Sequence, residues 1–374
     1  MEGKEHIDPR DDVILYKPGE FKLDDIEAAR INGPNIVVIG GGTGLSTLLK
    51  GLKECSENIT AVVAVSDDGG GSGVLRNEMG ILPPGDIRNC ILALANAEPI
   101  MSEILNHRFT EGSLSGQSFG NLFLAALNRI CGSFEDAVKQ MSEVLAITGR
   151  VLPVTTTDVN LCAEFENGSE IVGESKIFYF KKEQKCRISR VRLIPESPEP
   201  LAEVLDAIDN ADMIVFGPGS LYTSVIPNLL VKGIGERVKV SKAVKIYVCN
   251  IMTQEGETEG YTAFEHVQSL FDHSVDRLFD ICLVNSPPIP KELSESYDTE
   301  GASQTVVDRG KFENAKIELI ESDLLSRRGD YARHEPKLLA AELMRLHAIK
   351  NPRKGLLGRY DRVLAEYLVN SLSL

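Results

Sequence analysis

The chain has 374 residues, with 40 Lys and Arg against 55 Asp and Glu, a formal net charge of −15 and 43% hydrophobic content. Such a chain forms a globular core large enough to need no metal or disulfide staple, and its acidic balance argues against a nucleic-acid scaffold, whose phosphate contacts use surplus Lys and Arg. Seven scattered cysteines without a CxxC pair read as buried thiols of a reducing cytosol. No apolar run approaches the ~18 residues of a membrane span, and the charged start is no signal peptide, so a cytoplasmic location is expected.

Residues 1–34 are polar and weakly periodic and read as an extension, closed by Asn32-Gly33-Pro34. Then come an apolar strand, Ile36 to Ile39, a turn, Gly40-Gly41-Gly42-Thr43-Gly44, and a helix with Leu45, Leu48, Leu49 and Leu52 on one face. A second buried strand, Ile59 to Val65, runs into Ser66-Asp67-Asp68-Gly69-Gly70-Gly71-Ser72-Gly73. In Pro83-Pro84-Gly85-Asp86-Ile87-Arg88-Asn89 a rigid turn leads to Asp86 as the expected N-cap of a helix. Residues 91–147 are helix-rich, with Phe119, Leu122, Phe123, Ala126, Leu127 and Ile130 predicted as one buried face.

From Val154 the period becomes two, and Asn167-Gly168 marks a hairpin that interrupts the parallel pattern. The basic run Lys181 to Arg192 interleaves with Ile188, Val191 and Leu193 and reads as a solvated strand face. Further strands are predicted at Met213 to Phe216, Lys245 to Cys249 and Ile281 to Val284, and two helices from Pro336 onward, the second forming a tail over 351–374. The alternation implies a three-layer α/β fold, doubly wound on a mainly parallel sheet, with ligands bound beyond the carboxyl ends of the strands.

The residues that follow those strands are therefore the candidate site. The first glycine loop lacks both the dinucleotide fingerprint and the Gly-Lys-Ser/Thr of a Walker loop, which weakens an NAD-dependent oxidoreductase. Its glycines, the Thr43 hydroxyl and the helix that follows still favour phosphate over a turn needing glycine for geometry alone. Asp67 and Asp68 could hold Mg2+ on a diphosphate, bind a ribose hydroxyl or cap the next turn. Gly217-Pro218-Gly219-Ser220 is a second glycine loop, able to grip the same nucleotide ligand from the other side, and Asn250 follows the next strand. The six histidines show no metal spacing and read as surface or core residues.

In order, these motifs together with Ser118-Phe119-Gly120-Asn121-Leu122 and Met252-Thr253-Gln254 resemble the YvcK family, the gluconeogenesis factors, over about residues 35–350. That family is related to the CofD 2-phospho-L-lactate transferases. The resemblance implies a CofD-like, Rossmann-like fold and a cytoplasmic protein that binds UDP-sugars such as UDP-N-acetylglucosamine. It also implies a role in cell shape and wall synthesis during gluconeogenic growth, with wall-synthesis proteins or a second copy of the chain as partners. The resemblance carries binding roles to Thr43, Asp67, Asp68, Asn89 and Asn121, and to Tyr297 and Arg333 further along, while the loop positions Gly41, Gly42, Gly44, Ser72, Gly217, Gly219, Ser220 and Asn250 complete the candidate ligand site. Gly71 departs from the pattern, standing where many members have a second serine. No catalytic or metal-ligating residue is assigned. The rival expectation is a metal-dependent phosphoryl-type transferase.

Overall fold

The computed structural model describes residues 23–184, 186–291, 293, 301–327 and 331–351, with 358, 360, 361, 363–365 and 367. Seven parallel strands form the main sheet: β1 (Ile36–Gly40), β2 (Ile59–Val63), β3 (Arg150–Pro153), β7 (Met213–Phe216), β8 (Val244–Val248), β9 (Ile281–Asn285) and β10 (Glu318–Ser322). Their order is β10-β9-β8-β7-β1-β2-β3. β1, β2, β7 and β9 are buried along their whole length, as strands covered by helices on both faces must be. β4 (Asn160–Phe165), β5 (Glu170–Val172) and β6 (Ile188–Ile194) form a small antiparallel sheet, ordered β5-β4-β6. The doubly wound fold with an antiparallel excursion is thus the observed one.

β1 is central, pairing in parallel with β2 on one side and β7 on the other. The chain leaves β1 toward β2 and β3, whereas β7 to β10 build outward in the opposite direction. The strand order reverses between β1 and β7, and an open α/β sheet forms its ligand crevice at that reversal. Helix Gly42–Leu52 packs against helices Gly85–Leu94 and Pro336–Lys350. Gly51 is the contact with the last of these, because a Cβ there would run into the Pro336 carbonyl. Among the described residues no helix is long and apolar enough to cross a membrane.

Four local expectations change. In helix Phe119–Cys131 the buried residues are Gly120, Asn121, Leu124 and Ala125, while Phe119 and Ile130 are exposed. The face is rotated because Gly120 lets the helix lie on Arg88 and on the Leu105 carbonyl, at 2.6 Å from where its Cβ would stand. Asp86 is not an N-cap: helix Gly85–Leu94 is capped at Pro84, leaving Asp86 inside its first turn. Lys181 belongs to helix Glu174–Gln184 rather than to a strand, and it is buried in an ion pair with Glu259. In β6 the basic residues do face outward, Arg190 being exposed and Arg192 pairing with the exposed Glu170, while Lys182 and Lys185 lie outside the described side chains. β3 and β10, the two edge strands, were not predicted, being short and partly polar.

Candidate functional site

The reversal between β1 and β7 opens into a cleft of about 690 Å3, part of it open to solvent. One wall is the first glycine loop. Gly42 has φ +67, a conformation that disfavours any residue with a Cβ, and it starts a helix whose N-cap residue, Gly41, has no side chain to cap it. The Gly42 N–H instead donates to the Asp86 carboxylate at 2.7 Å, and Thr43 and Gly44 of the same first turn line the cleft. The opposite wall is the second glycine loop, held very close. A Cβ at Gly44 would lie 2.5 Å from the Pro218 carbonyl oxygen, so glycine is what lets the two loops meet.

β8 supplies the clamp for that second loop. Asn250 accepts from the Gly219 N–H at 3.1 Å and donates to the Gly219 carbonyl at 2.8 Å, and Ser220 donates to Gln254 at 2.8 Å. The π-helical turn Leu221–Val225 that follows is pinned by Glu257, which accepts from the Tyr222 N–H at 3.2 Å and from the Thr223 hydroxyl at 2.9 Å. Burial with few counter-charges pushes the Glu257 carboxyl up to about 7, its two hydrogen bonds opposing the rise.

The far wall comes from distant sequence. Arg333 to Glu335 run antiparallel to Leu324 to Ser326, through Ser326 N–H to Arg333 O at 2.7 Å and Glu335 N–H to Leu324 O at 2.8 Å. Arg333 is exposed, its guanidinium 5.4 Å above the Tyr331 ring, and it lines the cleft. Beside it Ile251, Met252, Leu325 and Ala332 form a small apolar cluster. The cleft therefore has a polar, glycine-walled end and an apolar end.

Seven of the residues expected at the site line this cleft together: Gly42, Thr43, Gly44, Gly219, Ser220, Asn250 and Arg333. Gly41 and Gly217 lie beneath it as the turns that end β1 and β7. Tyr297 lies outside the described residues. Asp67, Asp68, Ser72, Asn89 and Asn121 form a second group beyond the end of β2. There Asp67 accepts from the Gly69 N–H at 2.8 Å, and Asp68 accepts from the Ser175 N–H at 2.7 Å, capping the first turn of helix Glu174–Gln184. Asn89 accepts from Arg88 at 2.6 Å, while Asn121 is buried with its Oδ1 unpartnered.

That second group is acidic. Burial pushes Asp67 up, against the pull of the Gly69 N–H, and pushes Asp86 up to about 6, with the Asp67 charge adding to it. Glu174 is raised well above the carboxylate range by burial and then by Asp67, Asp86 and Glu257. Among the described residues no three His, Cys, Asp or Glu side chains are placed to hold a metal ion. A Mg2+ ion would have to be carried by one or two of these carboxylates together with the phosphates of a ligand. Sequence reasoning gave Asp86, Gln254, Glu257 and His334 no place in the site. The Asp in Pro-Pro-Gly-Asp and the His beside Arg333 were visible, but nothing in their spacing tells which loop they face.

The comparisons agree with this architecture. The family model for 2-phospho-L-lactate transferase CofD matches residues 36–325. The chain belongs to the CofD family. Within it, the chain is 47% identical over 314 residues to the gluconeogenesis factor of Bacillus subtilis, covering 84% of this chain and 98% of that one. It is 46% identical over 311 residues to the gluconeogenesis factor of Halalkalibacterium halodurans, covering 83% and 95%. A crystal structure of a UPF0052-family protein from Bacillus halodurans superposes with a TM-score of 0.80 at 45% identity, covering 83% of this chain and 99% of that chain. This CofD-family chain thus sits in the gluconeogenesis-factor group.

Proposed function

We propose that the chain binds a UDP-sugar of the UDP-N-acetylglucosamine type in the β1/β7 cleft, without turning it over, and in that state supports cell shape and wall synthesis during gluconeogenic growth. Residues 35–350 form the binding unit, with 1–34 and 351–374 outside it. The observation that carries the reading is the joining of a glycine-rich helix start to Arg333 across one cleft. At net −15 the overall field repels a diphosphate, so local donors must hold it. Helix N–H groups and a guanidinium are the donors suited to phosphate, and the apolar end suits a base. Calorimetry with UDP-N-acetylglucosamine should show micromolar binding, and prolonged incubation with Mg2+ and candidate acceptors should leave the nucleotide sugar intact. Native mass spectrometry of freshly purified protein should weigh a retained nucleotide sugar.

The second reading is a phosphoryl-type transferase, favoured by the family match and by the acidic group next to the cleft. In it Asp67 or Asp68 would hold a divalent ion on the diphosphate. Steady release of UMP or UDP in the same incubation would select it.

A further inference from the structure

His334 lines the cleft next to Arg333, at the apolar end formed by Ile251, Met252 and Ala332. It is only 7% exposed, and its Nε2 is buried with no hydrogen-bond partner. Among the described residues no hydrogen bond of either ring nitrogen fixes the ring about χ2, in contrast to His266 and His273, whose Nδ1 atoms hold backbone carbonyls at 2.9 and 2.7 Å. A buried polar group left unpaired is costly, and such a group at the wall of a ligand cleft has an unmet demand that a ligand can satisfy.

Of its two chain neighbours, Glu335 accepts from Ser326 at 3.1 Å, and Arg333 lies over Tyr331. We propose that His334 reads the base: its imidazole makes a hydrogen bond to the uncharged edge of a nucleobase seated at the apolar end, while the phosphates lie at the glycine end. Burial lowers the imidazole to about 4, so it is uncharged at physiological pH and offers one donor and one acceptor rather than a cation for phosphate. The inference rests on the UDP-sugar reading and adds an orientation to it, with base and phosphate recognition assigned to adjacent residues.

The test titrates the full chain with uridine, UDP and inorganic pyrophosphate, using calorimetry and ligand-observed NMR. His334→Phe should weaken uridine and UDP by the same factor, about 2-fold to 13-fold, the range for one neutral hydrogen bond, and leave pyrophosphate unchanged. His334→Gln, which keeps an uncharged hydrogen-bonding group, should recover most of the loss. If the phenylalanine variant fails to fold, His334→Asn, too short to reach, takes its place. Unchanged uridine binding in folded variants would overturn the inference and leave the UDP-sugar reading standing, as would an equal loss for pyrophosphate. A parent chain that binds no uridine ligand removes both.

Discussion

Two neighbouring strand ends of one sheet are built for opposite chemistry. Beyond β1 and β7 the loops are glycine-rich and lead into a helix start, and among the described residues no carboxylate lines the cleft there. Beyond β2 the same kind of turn carries Asp67 and Asp68 and faces Asp86 and Glu174. The first region attracts an anion through oriented N–H groups. The second repels one and suits hydroxyls or a cation. Asp86 joins the two, because its carboxylate takes the Gly42 N–H and so holds the first glycine loop from the acidic side. Position relative to the sheet sets which loops meet, and the side chains at each turn set the chemistry each rim presents.

The largest effect on this contrast should come from Gly44→Ala. The new methyl would stand 2.5 Å from the Pro218 carbonyl oxygen, so the loops must part. Nucleotide-sugar binding should be lost in calorimetry, and overpacking of this kind costs about 1–3 kcal/mol in denaturant midpoints. Next, Arg333→Ala removes a charge-assisted contact worth roughly 1.5–3 kcal/mol, so affinity should fall about 10-fold or more while the Tm of the free protein barely moves. An unchanged Kd would place the diphosphate elsewhere, in the acidic region after all.

A third measurement concerns stability and pH. The Glu257 carboxyl stands at about 7 in the fold against a usual 4.5. Between those values the native state holds a proton that the unfolded chain releases, so this group favours folding at low pH and loses that contribution as pH rises toward about 7. Glu257→Gln should flatten the slope of unfolding free energy over that window, by about 1–3 kcal/mol. A parallel slope in both proteins would contradict the assignment. Asp68→Ala should cost about 1 kcal/mol through the lost cap on helix Glu174–Gln184 and leave ligand affinity nearly intact. A large loss of affinity instead would make Asp68 a ligand contact. The smallest effect is expected from chelating divalent ions, which should scarcely change UDP-sugar affinity. Abolished binding would move the diphosphate onto a metal held by the carboxylates.

Much of this architecture was legible in the chain. Continuous apolar runs such as Met213 to Phe216 announce strands buried on both faces, glycine loops after them announce the crevice, and Asn167-Gly168 announces the hairpin, because periodicity and turn chemistry are local properties. What the chain could not disclose was which loops meet. That Gly44 lies on Pro218, that Asp86 takes the Gly42 N–H and that Arg333 and His334 close the far wall depend on the strand order β8-β7-β1-β2, which no local pattern encodes. The two adjacent aspartates make the same point: Asp67 and Asp68 read alike in sequence, yet one turns inward toward Asp86 while the other caps a helix more than 100 residues on. Composition and periodicity determined the sheet and its rim. Only the tertiary arrangement decided which rim residues line one cleft, because a side chain's partners and burial are set by the contacts of distant segments.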